Sequence, residues 1–125
     1  MNTLVHFDVP VEDIQRAKTF YETVFNGKIT RMPGPMEYFD IATKDEQGNP
    51  SLSGGMGERR DSKQQITHYI GVSSIYEYVK KVQDHGGKII MQKTPISGFG
   101  YLATFHDTEG NTVGLWETDD TVRME

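Results

Sequence analysis

The chain has 125 residues, of which 25% are charged and 35% hydrophobic, a balance typical of one soluble globular domain. Its formal net charge of -5 predicts no surface for nucleic acid, and the absence of cysteine excludes disulfides, thiolate metal sites and a cysteine nucleophile. We find no signal-peptide pattern at the start and no apolar run near the roughly 20 residues that a membrane span needs. We therefore expect a cytoplasmic protein without a nucleic-acid or membrane partner.

The first half of the chain predicts a strand, a helix and then short strands. Residues 4–11 alternate in the manner of a half-buried strand, with His6 and Asp8 on the face opposite the valines. Asp13 can cap the following helix, and Gly27 is suited to end it in a left-handed conformation. The buried stripe of this helix is predicted to contain Ile14, Ala17, Tyr21 and Val24. Strands are then predicted near 28–32, 36–43 and 51–57, with a polar hairpin at 44–50.

The second half repeats this order after a polar connector at 59–65. Residues 66–72 form a predicted strand, and Ser74 with Glu77 has the spacing of a capping box at the start of a second helix. Three more strands are predicted at 88–92, 100–107 and 112–117, with a turn at 108–111. The intervening loop at 93–102 has the Gly and Pro content of a flexible lid over a pocket, although such a loop can also be a plain connector.

The two halves align with each other, which indicates an internal duplication. A shift of 61 residues brings His6 onto Thr67 and Ile14 onto Ile75. We therefore predict one domain over 1–125, built from a first module at about 4–58 and a second at about 66–117, with the linker at about 59–65.

Three segments carry a resemblance to a known family. They are "HFDVPVEDIQRAKTFYETVFNGKI", "HYIGVSSIYEYVKKVQDHGGKII" and "GYLATFHDTEGNTVGLWE", and together they cover nearly the whole chain. In this order they resemble the vicinal oxygen chelate superfamily, which includes glyoxalase I, bleomycin-resistance proteins and extradiol dioxygenases. The resemblance implies an α+β fold of two βαβββ modules in a pseudo-twofold arrangement. Their strands would form a cup-shaped, partly open eight-stranded sheet with the helices outside.

The resemblance also implies where a divalent metal would be held in the enzymes, with one ligand from the first and one from the last strand of each module. His6 matches the first of these positions, and Thr67 stands at its equivalent in the second module. Gly114 occupies the last-strand position of the second module, and Gly54, Gly55 or Ser53 that of the first. His68 is a neighbour of Thr67 and faces the other side of its strand, toward the helix. Because His6 is the only match, we expect no cofactor and disfavour a divalent metal, although one is possible.

The glycines at these positions have two interpretations. Glycine weakens a strand, so its use there can mark close approach of a ligand. Alternatively, Gly114 meets a packing need and accommodates Trp116 or a neighbouring strand. On the first interpretation the candidate ligand-binding residues are His6, Asp8, Gly54, Gly55, Thr67, Tyr69, Gly114 and Trp116, with Tyr69 and Trp116 as aromatic walls and His6 as the candidate catalytic residue. The pattern leaves open whether Tyr101, Ala103 and Phe105 or Leu102, Thr104 and His106 face the cup.

We expect a domain that binds a small organic molecule in the cup, resembling the bleomycin-resistance branch. The alternatives are a divalent-metal lyase or isomerase resembling glyoxalase I, a related dioxygenase, or an interaction module with a vestigial cup. Arg59 and Arg60 could attract an anionic ligand or form a solvated connector. A homodimer is expected, and the cup could form within one chain or across two.

Overall fold

The structure is a computed structural model that describes residues 2–25, 28–34 and 37–123. Within these residues it contains two helices and eight strands, which assigns the protein to the α+β class as predicted. The elements are β1 (Leu4–Val11), α1 (Ile14–Phe25), β2 (Lys28–Arg31), β3 (Tyr38–Ala42), β4 (Gly54–Glu58), β5 (Thr67–Gly71), α2 (Ile75–Asp84), β6 (Lys88–Ile96), β7 (Gly100–His106) and β8 (Thr112–Thr118). The predicted role of Gly27 lies outside the described residues.

The chain forms two compact units. One is His6–Ile66, and the other combines Met1–Val5 with Thr67–Glu125. In the first unit, hereafter module one, the strand order is β2-β3-β4-β1; in the second, module two, it is β5-β8-β7-β6. In each module the last strand runs parallel to the first, and the remaining pairs are antiparallel. The repeated βαβββ order agrees with the predicted duplication.

In module one, the helix packs on the apolar face of its sheet. The Asp13 carboxylate accepts a hydrogen bond from the Arg16 backbone N–H over 3.0 Å, which caps α1 as predicted. The buried cluster contains Val9, Val11, Ile14, Ile29, Phe39 and Met56. The prediction for Val24 was wrong, because 55% of this residue is exposed. At 3.6 residues per turn Val24 lies about 80° around the helix from Ile14, at the edge of the stripe.

In module two, α2 is capped from two directions. The Ser74 hydroxyl accepts a hydrogen bond from the Glu77 backbone N–H over 3.3 Å, as the capping box predicts. The Glu117 carboxylate, from β8, accepts another from the Ile75 backbone N–H over 2.8 Å. Val72, Ile75, Ala103 and Leu115 form the buried cluster beneath the helix. The helix is therefore fixed to its sheet by hydrogen bonding as well as by apolar contact.

Of the two interpretations of residues 93–102, the structure agrees with a connector and not with a long lid. The β6 strand continues to Ile96, and Ile96 already pairs with Gly100 at the start of β7. Gly98, with φ +81, lies in the tight turn that joins them. Gly and Pro are as typical of such hairpins as of mobile loops, which is why the sequence pattern did not distinguish the two.

A second repeat appears in the hairpin turns that precede the last strand of each module. In one turn Asp45 Oδ1 accepts hydrogen bonds from the backbone N–H groups of Gln47 and Asn49. In the other, Asp107 Oδ1 accepts them from Glu109 and Asn111. The glycine before each asparagine has a positive φ, +87 at Gly48 and +83 at Gly110. The duplication therefore extends to the side-chain geometry of these turns.

Candidate functional site

The candidate residues of module one lie on the sheet face turned away from α1, which we call the distal face of this module. Neighbouring strand residues face opposite sides, so His6 and Asp8 lie opposite the buried Val9. Asp8 pairs in register with Gly55 of β4, and Tyr38 of β3 pairs with Gly57. The strand register thus brings an imidazole, a carboxylate and a phenol to one face.

These three side chains form a hydrogen-bonded cluster. The Tyr38 hydroxyl donates to Asp8 Oδ1, and His6 Nε2 lies 3.0 Å from the same oxygen. His6 Nε2 also lies 3.3 Å from the Tyr38 hydroxyl oxygen. An ionised carboxylate only accepts hydrogen bonds, so the His6–Asp8 contact requires the proton on Nε2. The side chains of His6 and Asp8 are 33% and 31% exposed, which leaves the cluster accessible at its edge.

The glycines of the last strands lie beneath aromatic rings. A Cβ on Gly55 would overlap the hydroxyl end of Tyr38, and a Cβ on Gly114 would overlap the ring of Tyr69. Gly55 pairs with Asp8 and Gly114 with Tyr69, which are equivalent positions in the two modules. The space over both glycines is therefore filled by tyrosine side chains; at Gly114 the residue is Tyr69 of the neighbouring strand β5 and not Trp116.

Gly54 does not belong to this face. It pairs with Phe7, and a Cβ on Gly54 would meet the Phe7 ring. Phe7 packs against the buried cluster beneath α1, so Gly54 lies on the helix side of the sheet. The inclusion of Gly54 among the distal residues is corrected in favour of Gly55, because adjacent strand residues cannot both face one side.

In module two the distal face, again the face turned away from the helix, carries the predicted aromatic residues. Tyr69 pairs with Gly114, and Trp116 lies two residues further along β8, on the side opposite the buried Leu115. Thr67 lies on the same side of its strand as Tyr69 and is buried. Trp116 Nε1 donates to the Thr118 hydroxyl over 3.0 Å.

The register also shows which residues of β7 lie on the distal face. Leu102, Thr104 and His106 lie on the distal face, whereas Ala103, Tyr101 and Phe105 belong to the helix-side cluster.

The family resemblance implies a metal site, which needs several imidazole or carboxylate ligands close together. Catalytic zinc sites use three protein ligands. Among residues 2–25, 28–34 and 37–123, no group of three or more His, Cys, Asp or Glu side chains could hold a metal ion. In module one, the Nε2 atom of His6 is already engaged by Asp8. The described side chains therefore do not fit such a site, and we assign no chemical step to a metal.

Tyr38 is the site residue that the sequence patterns did not identify. Its strand was predicted, and alternation along 36–43 places Tyr38 and Asp40 on one face. That signal gives the face of Tyr38 within β3. It does not give the register with β4, which sets the ring over Gly55 and Gly57.

Comparison with protein-family models gives a match over residues 3–115 to the "Glyoxalase/Bleomycin resistance protein/Dioxygenase superfamily". The chain belongs to this superfamily. The match covers both modules, and it confirms the resemblance seen in the sequence. A search of the curated proteins found no match.

Solved structures show the same fold at low sequence identity. A hypothetical protein from Bacillus halodurans is 18% identical with a TM-score of 0.69, covering 98% of this chain and 99% of its own. A methylmalonyl-CoA epimerase in complex with methylmalonyl-CoA and an ammonium ion is 12% identical with a TM-score of 0.69, covering 99% of both chains. The methylmalonyl-CoA epimerase of Mycobacterium tuberculosis is 13% identical with a TM-score of 0.65, covering 93% of this chain and 87% of its own.

No helix of the described residues is long and apolar enough to cross a membrane.

Proposed function

We propose that this protein binds a small organic molecule on the distal faces of its modules and does not require a metal to do so. The proposal keeps the expectation that both modules line one ligand cup. The observation that carries it is the His6–Asp8–Tyr38 cluster, a partly exposed set of hydrogen-bonding groups on a sheet face. Binding sites combine aromatic walls with a few polar groups that fix the orientation of the ligand, and this cluster provides both kinds of group.

The distal face of module two supports the same proposal with different chemistry. Tyr69 and Trp116 supply aromatic surface, and Thr104 and His106 from β7 add polar groups to that face. A flat, partly apolar compound with a hydrogen-bonding substituent matches these groups.

The test is a fluorescence titration with a panel of flat aromatic compounds. Trp116 is the only tryptophan of the chain, so a change in its emission reports on the distal face of module two. For a compound that binds, Tyr38→Phe should weaken binding about fivefold, since a neutral hydrogen bond contributes about 1 kcal/mol.

Tyr78→Phe is the matched control for this titration. Tyr78 also donates a hydroxyl hydrogen bond, over 3.1 Å to Asn2, but its ring packs against the helix-side cluster of module two. Equal losses of affinity in the two variants would contradict the assignment of Tyr38 to the ligand site. If no compound of the panel shows saturable binding, the proposed function is contradicted.

An enzymatic alternative is favoured by the family itself. The superfamily includes dioxygenases, and structurally similar proteins are named as methylmalonyl-CoA epimerases. In this alternative the protein is a metal-dependent lyase, isomerase or dioxygenase, with His6 as a ligand or acid–base group. Turnover of glutathione hemithioacetals, acyl-CoA esters or catechols that rises with added divalent metal and is lost in His6→Ala would favour it.

A homodimer in the cytoplasm also belongs to the proposal. The expectation rests on the frequency of twofold dimers among small soluble proteins and on the absence of cysteine. Light scattering coupled to size exclusion should give twice the 14.2 kDa mass of one chain, and a mass of one chain would contradict the dimer.

A further inference from the structure

The connector between the predicted modules forms a cleft of about 460 Å³ that shares no residue with the distal face. Its lining consists of Arg59, Ser62, Lys63, Gln64, Gln65 and Ile66. Two of these side chains are cationic and none is acidic, in a chain whose net charge is -5. The cleft is therefore a local concentration of positive charge and of polar hydrogen-bonding groups on an acidic protein.

Arg59 is held in place but not fully satisfied. Its Nη2 donates to the Pro10 carbonyl over 3.2 Å, and its Nη1 lies 3.3 Å from Glu12 Oε1. The Glu12 side chain is 70% exposed, so solvent screens this ion pair. Arg59 Nε is buried and has no hydrogen-bond partner. A buried donor without a partner is unusual in a folded protein, and a bound water or ion is one of the ways to satisfy it.

Asp61, the acidic residue within the connector, is not part of the cleft lining. Asp61 Oδ1 accepts a hydrogen bond from the Lys63 backbone N–H over 2.9 Å, and the Asp61 carbonyl accepts one from the Gln64 backbone N–H. These contacts fold the connector into a turn that places Ser62 and Lys63 on the lining.

We propose that this cleft binds the carboxylate or phosphate group of a small organic anion. The guanidinium of Arg59 supplies planar N–H donors that suit either group, and the Lys63 ammonium adds a second charge. Ile66, which is 51% exposed, provides apolar surface for the organic part. The site stands whether or not the distal faces bind a ligand, because none of its residues lies on them.

The test uses 15N NMR of the full chain, in which the Arg59 Nε–H group gives a signal of its own. Four probes are titrated at constant ionic strength: acetate, benzoate, inorganic phosphate and phenyl phosphate. We expect saturable shifts of the Arg59 Nε–H signal and of the 59–66 amides, with the aromatic probes binding more tightly than acetate and phosphate. Equal affinity of the aromatic probes and of acetate and inorganic phosphate would overturn the organic part of the proposal. Shifts that never saturate with any probe would overturn the anion site itself.

Two variants and a control complete the test. Arg59→Lys keeps the charge but removes the Nε–H and the planar fork, so binding should weaken about tenfold, the loss of one charge-assisted hydrogen bond. Lys63→Gln should weaken binding by a similar factor, and it tests the site without altering the contacts that Arg59 makes to β1. Arg31→Lys is the matched control, because Arg31 is an exposed arginine of the same unit outside the cleft. A loss of affinity in Arg31→Lys equal to that in Arg59→Lys would contradict a specific cleft.

Discussion

Gly114 shows how one missing side chain determines the packing of a sheet face. A Cβ at this position would overlap Tyr69 near the base of its ring, at Cγ and Cδ1, where the side chain cannot swing away. Tyr69 is buried, so the strand or the ring would have to shift. We predict that Gly114→Ala lowers the free energy of unfolding by about 1–3 kcal/mol, the usual cost of overpacking. Urea denaturation measures the change.

Two further variants separate overpacking from a general cost of replacing glycine. Gly57→Ala should cost less, because its Cβ would lie 3.2 Å from Tyr38, a contact that a small ring movement relieves. In a Tyr69→Ala background, Gly114→Ala should lose most of its effect, since the two residues are then no longer in conflict. An unchanged cost in that background would show that Tyr69 is not the reason for the glycine.

The side chain of Lys93 connects β6 to the start of α2. Its ammonium lies 4.3 Å from the Tyr76 ring centroid, 4.1 Å from that of Tyr101 and 3.5 Å from Glu117 Oε2. The side chains of Lys93 and Glu117 are both 17% exposed, and Glu117 also caps α2. Removal of the lysine leaves a largely buried carboxylate without its cation. We predict that Lys93→Ala destabilises the protein by about 2 kcal/mol or more.

Lys81 is the matched control for this prediction, because it combines the same two interactions at an exposed place. It lies 4.6 Å from the Tyr78 ring centroid and 3.3 Å from Glu77 Oε1, and its side chain is 56% exposed. Lys81→Ala should cost less than about 1 kcal/mol. Thermal and urea unfolding of both variants measure the two losses of stability. Equal losses would show that the contacts of Lys93 between β6, α2 and β8 add nothing beyond those of an exposed lysine.

The aspartates of the two hairpin turns should make the stability of the protein depend on pH. Hydrogen bonds from Asn111 lower the pKa of Asp107 below its ordinary value, and hydrogen bonds from Asn49 do the same for Asp45. A carboxyl group whose pKa is lower in the folded state stabilises the protein above its unfolded pKa near 3.8. This stabilisation is lost as the pH falls from there through the folded pKa. Asp45→Asn and Asp107→Asn should therefore each flatten the fall in unfolding free energy below about pH 4.

Urea unfolding at a series of pH values measures this effect, with Asp84→Asn as a control. Asp84 is an exposed carboxylate that pairs with Lys80 on the surface of α2 and takes no part in a turn. If the variants at the turns retain the full pH dependence of the unmodified protein, the hydrogen bonds to Asp45 and Asp107 do not contribute as described.

For the molecule as a whole, hydrophobic alternation and the duplication predicted the order of the elements, and the family resemblance implied how the two modules build the sheet. The period of two along a strand correctly placed four residues on the distal face of module two: Thr67, Tyr69, Gly114 and Trp116. Contacts between strands were not predictable in the same way. The choice between Gly54 and Gly55 and the position of Tyr38 over Gly55 depend on register, which the alternation of one strand does not specify. The roles of the candidate residues in ligand binding remain predictions.

Metal content distinguishes the proposed binding domain from the enzymatic alternative. His6 is the single match to the implied ligand positions, and its Nε2 already donates to Asp8. We expect protein purified without chelators to contain far less than one equivalent of zinc, nickel, manganese or iron by plasma mass spectrometry. Added divalent ions should not raise its melting temperature more than they raise that of His6→Ala. A stoichiometric metal whose stabilisation disappears in His6→Ala would contradict the metal-independent proposal. It would require ligands other than those implied by the family, since Thr67 and Gly114 offer neither imidazole nor carboxylate.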